Sequence, residues 1–320
     1  MNKVVLSVVT ALTVSAAPAF AADMPAKAAK VAPAAAPSPF DLAFGAAIMN
    51  DYVFRGVTQS AHQPSVAAYF EPRFNINPNL QLYAGVAGES IKFANNAAAE
   101  IDLYAGVRPT FGPLALDVGF WEYYYPGGTC YGGTAPGCLP ALANGNVAKK
   151  NASFYELYAK ATYTAGDWAF GPTFYYSPNF LNTGADGEYL SGIVKFTAPA
   201  NMQFPNGIGW YVSGEFGRQW LGTSDAFYGL PGTAFAAGIP YKDYNTWNIG
   251  LGFTWKTLTL DLRYSGTDLN KGNCNAFTSD PGAGGTTNVT PINPSGVGSK
   301  WCGSTFIAKL SADLTLGSLK

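Results

Sequence analysis

The residues with the most chemical potential stand close together near the start of the chain. Asp51 and Arg55 are four apart in Asp51-Tyr52-Val53-Phe54-Arg55-Gly56-Val57-Thr58-Gln59-Ser60, and His62, the one histidine in 320 residues, follows. A Ser–His pair or a two-histidine metal site has little to work with here. Carboxylates are plentiful, and with so many of both signs an ion-pair ladder explains them better than acid/base catalysis. Asp51 and Arg55 either neutralise each other or take part in gating and solute selection. The four cysteines, Cys130, Cys138, Cys274 and Cys302, contain no C-x-x-C spacing. In an exported chain they read as disulfides, and of the three possible connectivities the local one is favoured, Cys130 with Cys138 and Cys274 with Cys302. The chain reads as a non-enzyme with no cofactor and no metal centre.

Whatever these side chains do, strands must position them. In Trp247–Trp255 the odd positions are Trp247, Ile249, Leu251, Phe253 and Trp255, whereas the even ones are Asn, Gly, Gly and Thr. After Lys256-Thr257, Leu258, Leu260, Leu262 and Tyr264 share one face, and Thr259, Asp261 and Arg263 share the other. A strict period of two means strands with one apolar and one polar face. At ~3.3 Å per residue and a tilt of ~40°, Trp247 and Trp255 stand roughly 20 Å apart along a membrane normal, near the ~25 Å apolar band of an outer-membrane barrel.

About twelve such stretches follow one another: 40–55, 65–76, 80–89, 99–111, 113–125, 153–164, 167–177, 188–198, 207–219, 244–255, 258–266 and 303–316. Compact connections (75–79, 111–113, 165–167, 199–206, 256–257) alternate with longer ones (56–64, 90–98, 126–152, 178–187, 220–243, 267–302). Transmembrane barrels keep this rhythm because periplasmic turns are tight and outer loops long. The expected fold is therefore all-β, a transmembrane antiparallel up-and-down barrel with both termini periplasmic. With the apolar sets facing lipid, the inward set is Asp51, Arg55, Glu71, Arg73, Glu89, Glu100, Asp102, Arg108, Asp117, Glu156, Lys160, Asp167, Lys195, Glu215, Asp261, Arg263, Lys309 and Asp313. Such a set calls for a watery lumen, since burying unpaired ions costs several kcal/mol each. Its acid excess predicts a mild preference for cations. Glu122 and Arg218 fall on the lipid-facing parity; the first asks for a bulge or an early exit from the membrane, the second for a place above it. Tyr123-Tyr124-Tyr125 and Tyr175-Tyr176 read as an outer aromatic girdle.

Export fits this reading. Residues 1–22 read as a secretory signal, with Lys3, the apolar run Val4–Val14 and a small-residue cleavage site at Ala19-Phe20-Ala21 or the following Ala22. Residues 23–39 are an Ala/Pro-rich periplasmic linker, leaving 40–320 for the barrel. With 15% aromatic, 12% charged, 37 Gly and a net charge of −1, nothing points to nucleic acid.

The stretch Asp51–Ser60, with Gln63-Pro64-Ser65-Val66, Phe70-Glu71-Pro72-Arg73-Phe74-Asn75, Leu82-Tyr83-Ala84-Gly85 and Glu100–Gly106, resembles the TorF family of outer-membrane porins, with Thr58 where Ser is expected. The match is clear over the first third of the chain. It implies a barrel and a pore-like role in the Gram-negative outer membrane, among lipid and lipopolysaccharide, and brings no catalytic residue. The expected function is passive diffusion of small hydrophilic solutes through a charged lumen. The alternative is a plugged surface barrel whose disulfide-tied outer loops have a structural or partner-binding role.

Overall fold

The computed structural model describes residues 38–132 and 135–319. The signal segment and nearly all of the linker lie outside the described residues. In chain order the strands are β1 (Phe40–Met49), β2 (Val53–Phe54), β3 (Val57–Thr58), β4 (Ser65–Asn77), β5 (Leu80–Glu89), β6 (Glu100–Phe111) and β7 (Leu114–Tyr124). They continue as β8 (Phe154–Ala165), β9 (Trp168–Ser177), β10 (Gly187–Thr197), β11 (Gly209–Leu221), β12 (Tyr244–Trp255), β13 (Leu258–Thr267) and β14 (Thr305–Thr315). All but β2 and β3 form one closed antiparallel barrel of twelve strands, sealed where β1 pairs with β14. Closure leaves no strand edge unpaired, which is what allows strands to cross an apolar medium. One short helix, α1 (Lys271–Thr278), lies in the last long connection, and no described helix is long and apolar enough to cross a membrane.

The expected boundaries hold to within one or two residues, except at the first strand. The wall ends at Met49, not at residue 55, and Asp51–Ser60 turns inward to form the small hairpin β2–β3. The long connections gather at one end of the barrel and the short turns at the other, where Gly112 and Gly166 take the positive φ that two-residue turns demand. Outward positions are apolar and exposed, among them Phe70, Leu103, Leu157, Phe216, Ile249 and Phe306. Glu122 needs no bulge: it keeps register between Leu103 and Tyr155, near the long-loop rim. Arg218 lies near the same rim, bonded to Asp243 at 3.3 Å and Asn245 at 3.2 Å.

The inside is not an empty tube. Inward tyrosines pack against inward glycines on the neighbouring strand. Tyr83 stands opposite Gly106, Tyr104 opposite Gly85, Tyr158 opposite Gly119 and Tyr211 opposite Gly252. A Cβ at Gly119 would fall 2.8 Å from the Tyr158 oxygen, and one at Gly85 or Gly252 would overlap the facing ring. The missing side chains are what let the rings lie within the lumen. Tyr123, Tyr125 and Tyr175 are buried there too, so they belong to the filling and not to an outer girdle; Tyr124 does face outward. One-residue alternation places Tyr123 and Tyr125 together on the face opposite Tyr124.

Candidate functional site in the barrel lumen

The plug is built from the residues that opened the sequence analysis. Met49 ends β1, and positive φ at Arg55 and Gly56 folds the next segment back as β2–β3. Asp51 holds the fold together: it accepts hydrogen bonds from Thr58 Oγ1 (2.5 Å) and Ser60 Oγ (3.2 Å). Asp51 and Arg55 do not pair, nor does Arg55 turn to the strands beside it. Its guanidinium crosses the lumen and donates twice to Glu156 on β8, at 2.8 Å each, and to Gln219 on β11 at 3.0 Å. Phe54, Tyr175 and Tyr189 rings lie 4.4–4.7 Å from it. Glu156 is 0% exposed and the Arg55 side chain 1%, so neither meets water. A two-pronged pair of this kind is the strongest polar contact a desolvated site offers.

Two further ties hold the plug. Tyr52 donates to Glu100 Oε1 at 2.5 Å, and Thr58 N donates to the Trp301 carbonyl at 2.9 Å beside a bridge between Val57 and Cys302. Cys302 is bonded to Cys274 of α1, and Cys130 to Cys138, with Cα separations of 5.9 and 4.7 Å. His62 closes the hairpin's outer side. Its Nδ1 lies 2.6 Å from Asp51 Oδ2 and its Nε2 2.8 Å from the Lys300 carbonyl. A carbonyl and a carboxylate both accept, so both contacts are hydrogen bonds only for the doubly protonated ring. The Asp51 hydrogen bond accordingly raises the His62 pKa above its ordinary value, against the opposing effect of partial burial.

Nearer the short-turn end the inward charges form a ladder. Glu71 accepts from Arg73 (2.5 Å) and Arg108 (2.9 Å), and Arg108 also donates to Asp117 at 3.1 Å. Asp261 pairs with Arg263 at 3.1 Å and accepts from Tyr211 at 2.6 Å. Glu215 accepts from Tyr189 at 2.9 Å, and Asp313 from Tyr69 at 3.1 Å. Lys195 lies over the Tyr211 ring and Lys160 over Tyr158. Lys309 stands opposite Asp261 in register and lines an inner cavity. The expected watery lumen is thus corrected at these levels. Pairing, not hydration, offsets the burial of these ions, because tyrosine rings and the plug occupy the space water would fill.

Two cavities lie beside the plug among the described residues. The inner one, about 40 Å³, is bordered by Tyr52, Arg55, Glu89, Arg263 and Lys309. The outer one, about 90 Å³, is bordered by Phe54, Glu100, Tyr125, Phe154, Phe180 and Phe277 among others. The Tyr52–Glu100 hydrogen bond lies between them. Glu89, Glu100 and Asp102 cluster there, with carboxylate oxygens within 4.8 Å of one another. Sequence parity already turned Glu89 inward, but its meeting with Glu100 follows only from the register, which sets the two directly opposite. Gln219, Tyr52 and the lumen tyrosines escaped the sequence reading; glycine across the neighbouring strand is the signal that marks several of those rings.

Fold and site define a closed twelve-stranded barrel with an inward-folded first loop. By sequence, the chain belongs to the Gcw_chp family, described as bacterial proteins of unknown function, whose model matches residues 33–290. No curated protein sequence matches it. Among solved structures it is similar to an outer-membrane channel from Pseudomonas putida F1, at 10% identity and a TM-score of 0.45 over 90% of this chain and 100% of that one. It is also similar to a Pseudomonas aeruginosa FadL homologue, at 11% identity and a TM-score of 0.39 over 86% and 89% of the two chains. A third is OmpT, an outer-membrane protein of Vibrio cholerae, in a form lacking loop L8, at 11% identity and a TM-score of 0.36 over 86% and 98%.

Proposed function

We propose that this chain works in the Gram-negative outer membrane as a barrel held shut at rest, its first outer loop serving as the plug. On this reading the long connections face outward and both termini lie in the periplasm. The apolar, exposed belt of the wall supports a lipid setting. The observation that carries the closed state is Arg55, which spans the lumen to Glu156 and Gln219. An open diffusion pore, which the TorF resemblance implies, would keep its charges in water; here Glu71 and Glu156 are wholly enclosed. Solutes would pass only after the plug withdraws, and the aromatic cavity beneath the outer loops is where a ligand could bear on it. Acid/base catalysis has no support from His62, whose Nε2 is engaged by the Lys300 carbonyl and not by a nucleophile.

Planar-bilayer recording of the purified mature chain tests this. The wild type should show no steady conductance, and deletion of 50–64 with a short Gly/Ser bridge should open a stable channel. Steady conductance of the wild type would return the reading to an open porin.

A further inference from the structure

Glu89 closes β5 and Glu100 opens β6, and the hairpin register sets them directly opposite each other. Asp102, two residues on, shares the inward face of β6 with Glu100. Like charges placed directly across a strand pair repel, so this arrangement is unfavourable unless something positive joins it. The hydrogen bonds do not resolve it. Glu100 is served by two tyrosines, Tyr52 at 2.5 Å and Tyr125 at 2.8 Å. Glu89 and Asp102 are 3% and 1% exposed, and all four of their carboxylate oxygens are buried without a hydrogen-bond partner. The Trp121 indole N–H faces Asp102 but is itself without a partner at hydrogen-bonding geometry. Elsewhere in this lumen every enclosed carboxylate described above has an arginine, a histidine or a hydroxyl group as partner. Orphaned buried acceptors of this number ask for a donor or a cation.

We propose that Glu89, Glu100 and Asp102 bind one hard divalent cation, calcium above all. The donor set is all oxygen, with neither nitrogen nor sulfur, which suits calcium, magnesium or manganese and not zinc or copper. Calcium is favoured among these because it accepts irregular coordination at 2.3–2.6 Å, whereas magnesium demands a near-ideal octahedron and keeps most of its water. A cluster enclosed on two adjacent strands offers neither. Three carboxylates against a divalent ion leave one negative charge, which the Tyr52 and Tyr125 hydroxyls soften. Glu89 borders the inner cavity and Glu100 the outer one, so the cluster meets free space on both sides. Through Glu100 the ion would also brace Tyr52 and hence the plug, but the site stands whether or not the barrel conducts.

The test uses the full mature chain folded in detergent, stripped of metal with a chelator and titrated with terbium, an oxygen-seeking luminescent stand-in for calcium. Trp121 and the two tyrosines are close enough to sensitise its emission. One terbium per chain, displaced by calcium at lower concentration than by magnesium, is expected. Glu89→Gln and Asp102→Asn should each weaken terbium binding by at least ~10-fold, as loss of a direct ligand exceeds the effect of removing an outer-shell partner. Thermal unfolding of the wild type should shift upward with calcium, and those two variants should lose the shift. Absent saturable emission and a calcium-independent unfolding temperature in the wild type would overturn the proposal without recourse to variants, showing that the three groups share protons instead. Emission unchanged in both folded variants would overturn it equally.

Discussion

Replacing Arg55 by Met removes the charge and keeps the length of the side chain. Three hydrogen bonds vanish, two to Glu156 and one to Gln219, together with the stacking on Phe54, Tyr175 and Tyr189. Glu156 is then left wholly enclosed, with Tyr123 at 3.2 Å as its remaining hydroxyl donor. Breaking one side of a buried pair costs about 3–5 kcal/mol, chiefly through the stranded charge. At ~1.36 kcal/mol per tenfold, the equilibrium between seated and released plug should move by roughly two to four orders of magnitude. The wall is spared, because Arg55 lies outside the twelve barrel strands. Single-channel recording should therefore show frequent openings in Arg55→Met and rare ones in the wild type, while both keep the heat-modifiable mobility of a folded barrel. Adding Glu156→Gln removes the stranded charge and should restore much of the closure. Equal open probability in wild type and single variant would refute the plug, and a double variant as open as the single one would refute the charge argument.

Other outcomes follow from the same geometry. The His62 contribution is fully present below the ordinary imidazole pKa of ~6.5 and is lost as pH rises through the elevated folded value. Openings should increase toward alkaline pH, and His62→Gln should flatten that dependence when open probability is recorded against pH. Reducing Cys274–Cys302, whose partners are 28 residues apart, should lower stability against unfolding by about 3.5 kcal/mol in the chain-entropy model, and reducing Cys130–Cys138 by about 2.5. Protease cleavage within 268–304 should rise on reduction, and if the Val57–Cys302 bridge steadies the plug, channel opening should rise with it. Gly252→Ala should destabilise the barrel by ~1–3 kcal/mol by driving a methyl into Tyr211. Gly192→Ala, in open space, should leave unfolding unchanged, and equal losses at both sites would argue against the ring-on-glycine packing.

The barrel itself was legible because it is written locally. Period-two alternation needs only neighbouring residues, and the rhythm of short and long connections needs only lengths, so strand number and closure followed from the chain read in order; among the charged residues expected inward, Asp167 instead lies exposed in the turn between β8 and β9. The three-carboxylate cluster was half visible: parity turned Glu89, Glu100 and Asp102 inward, but which of them meet depends on register. The filling of the lumen was not visible. Tyr123 and Tyr124 differ in sequence by one position and in setting by the thickness of the wall, and the glycines that make room for Tyr83, Tyr104, Tyr158 and Tyr211 are matched to them only by the register.

The plug was the least legible element, since its fate is decided by residues far away. Arg55 finds Glu156 after 101 positions and Gln219 after 164, distances over which no local pattern carries information. Alternation could say that Asp51 and Arg55 stand near the mouth. Only the closed wall, by bringing β8 and β11 within reach of the first loop, decided that this segment leaves the strand and seals the space within.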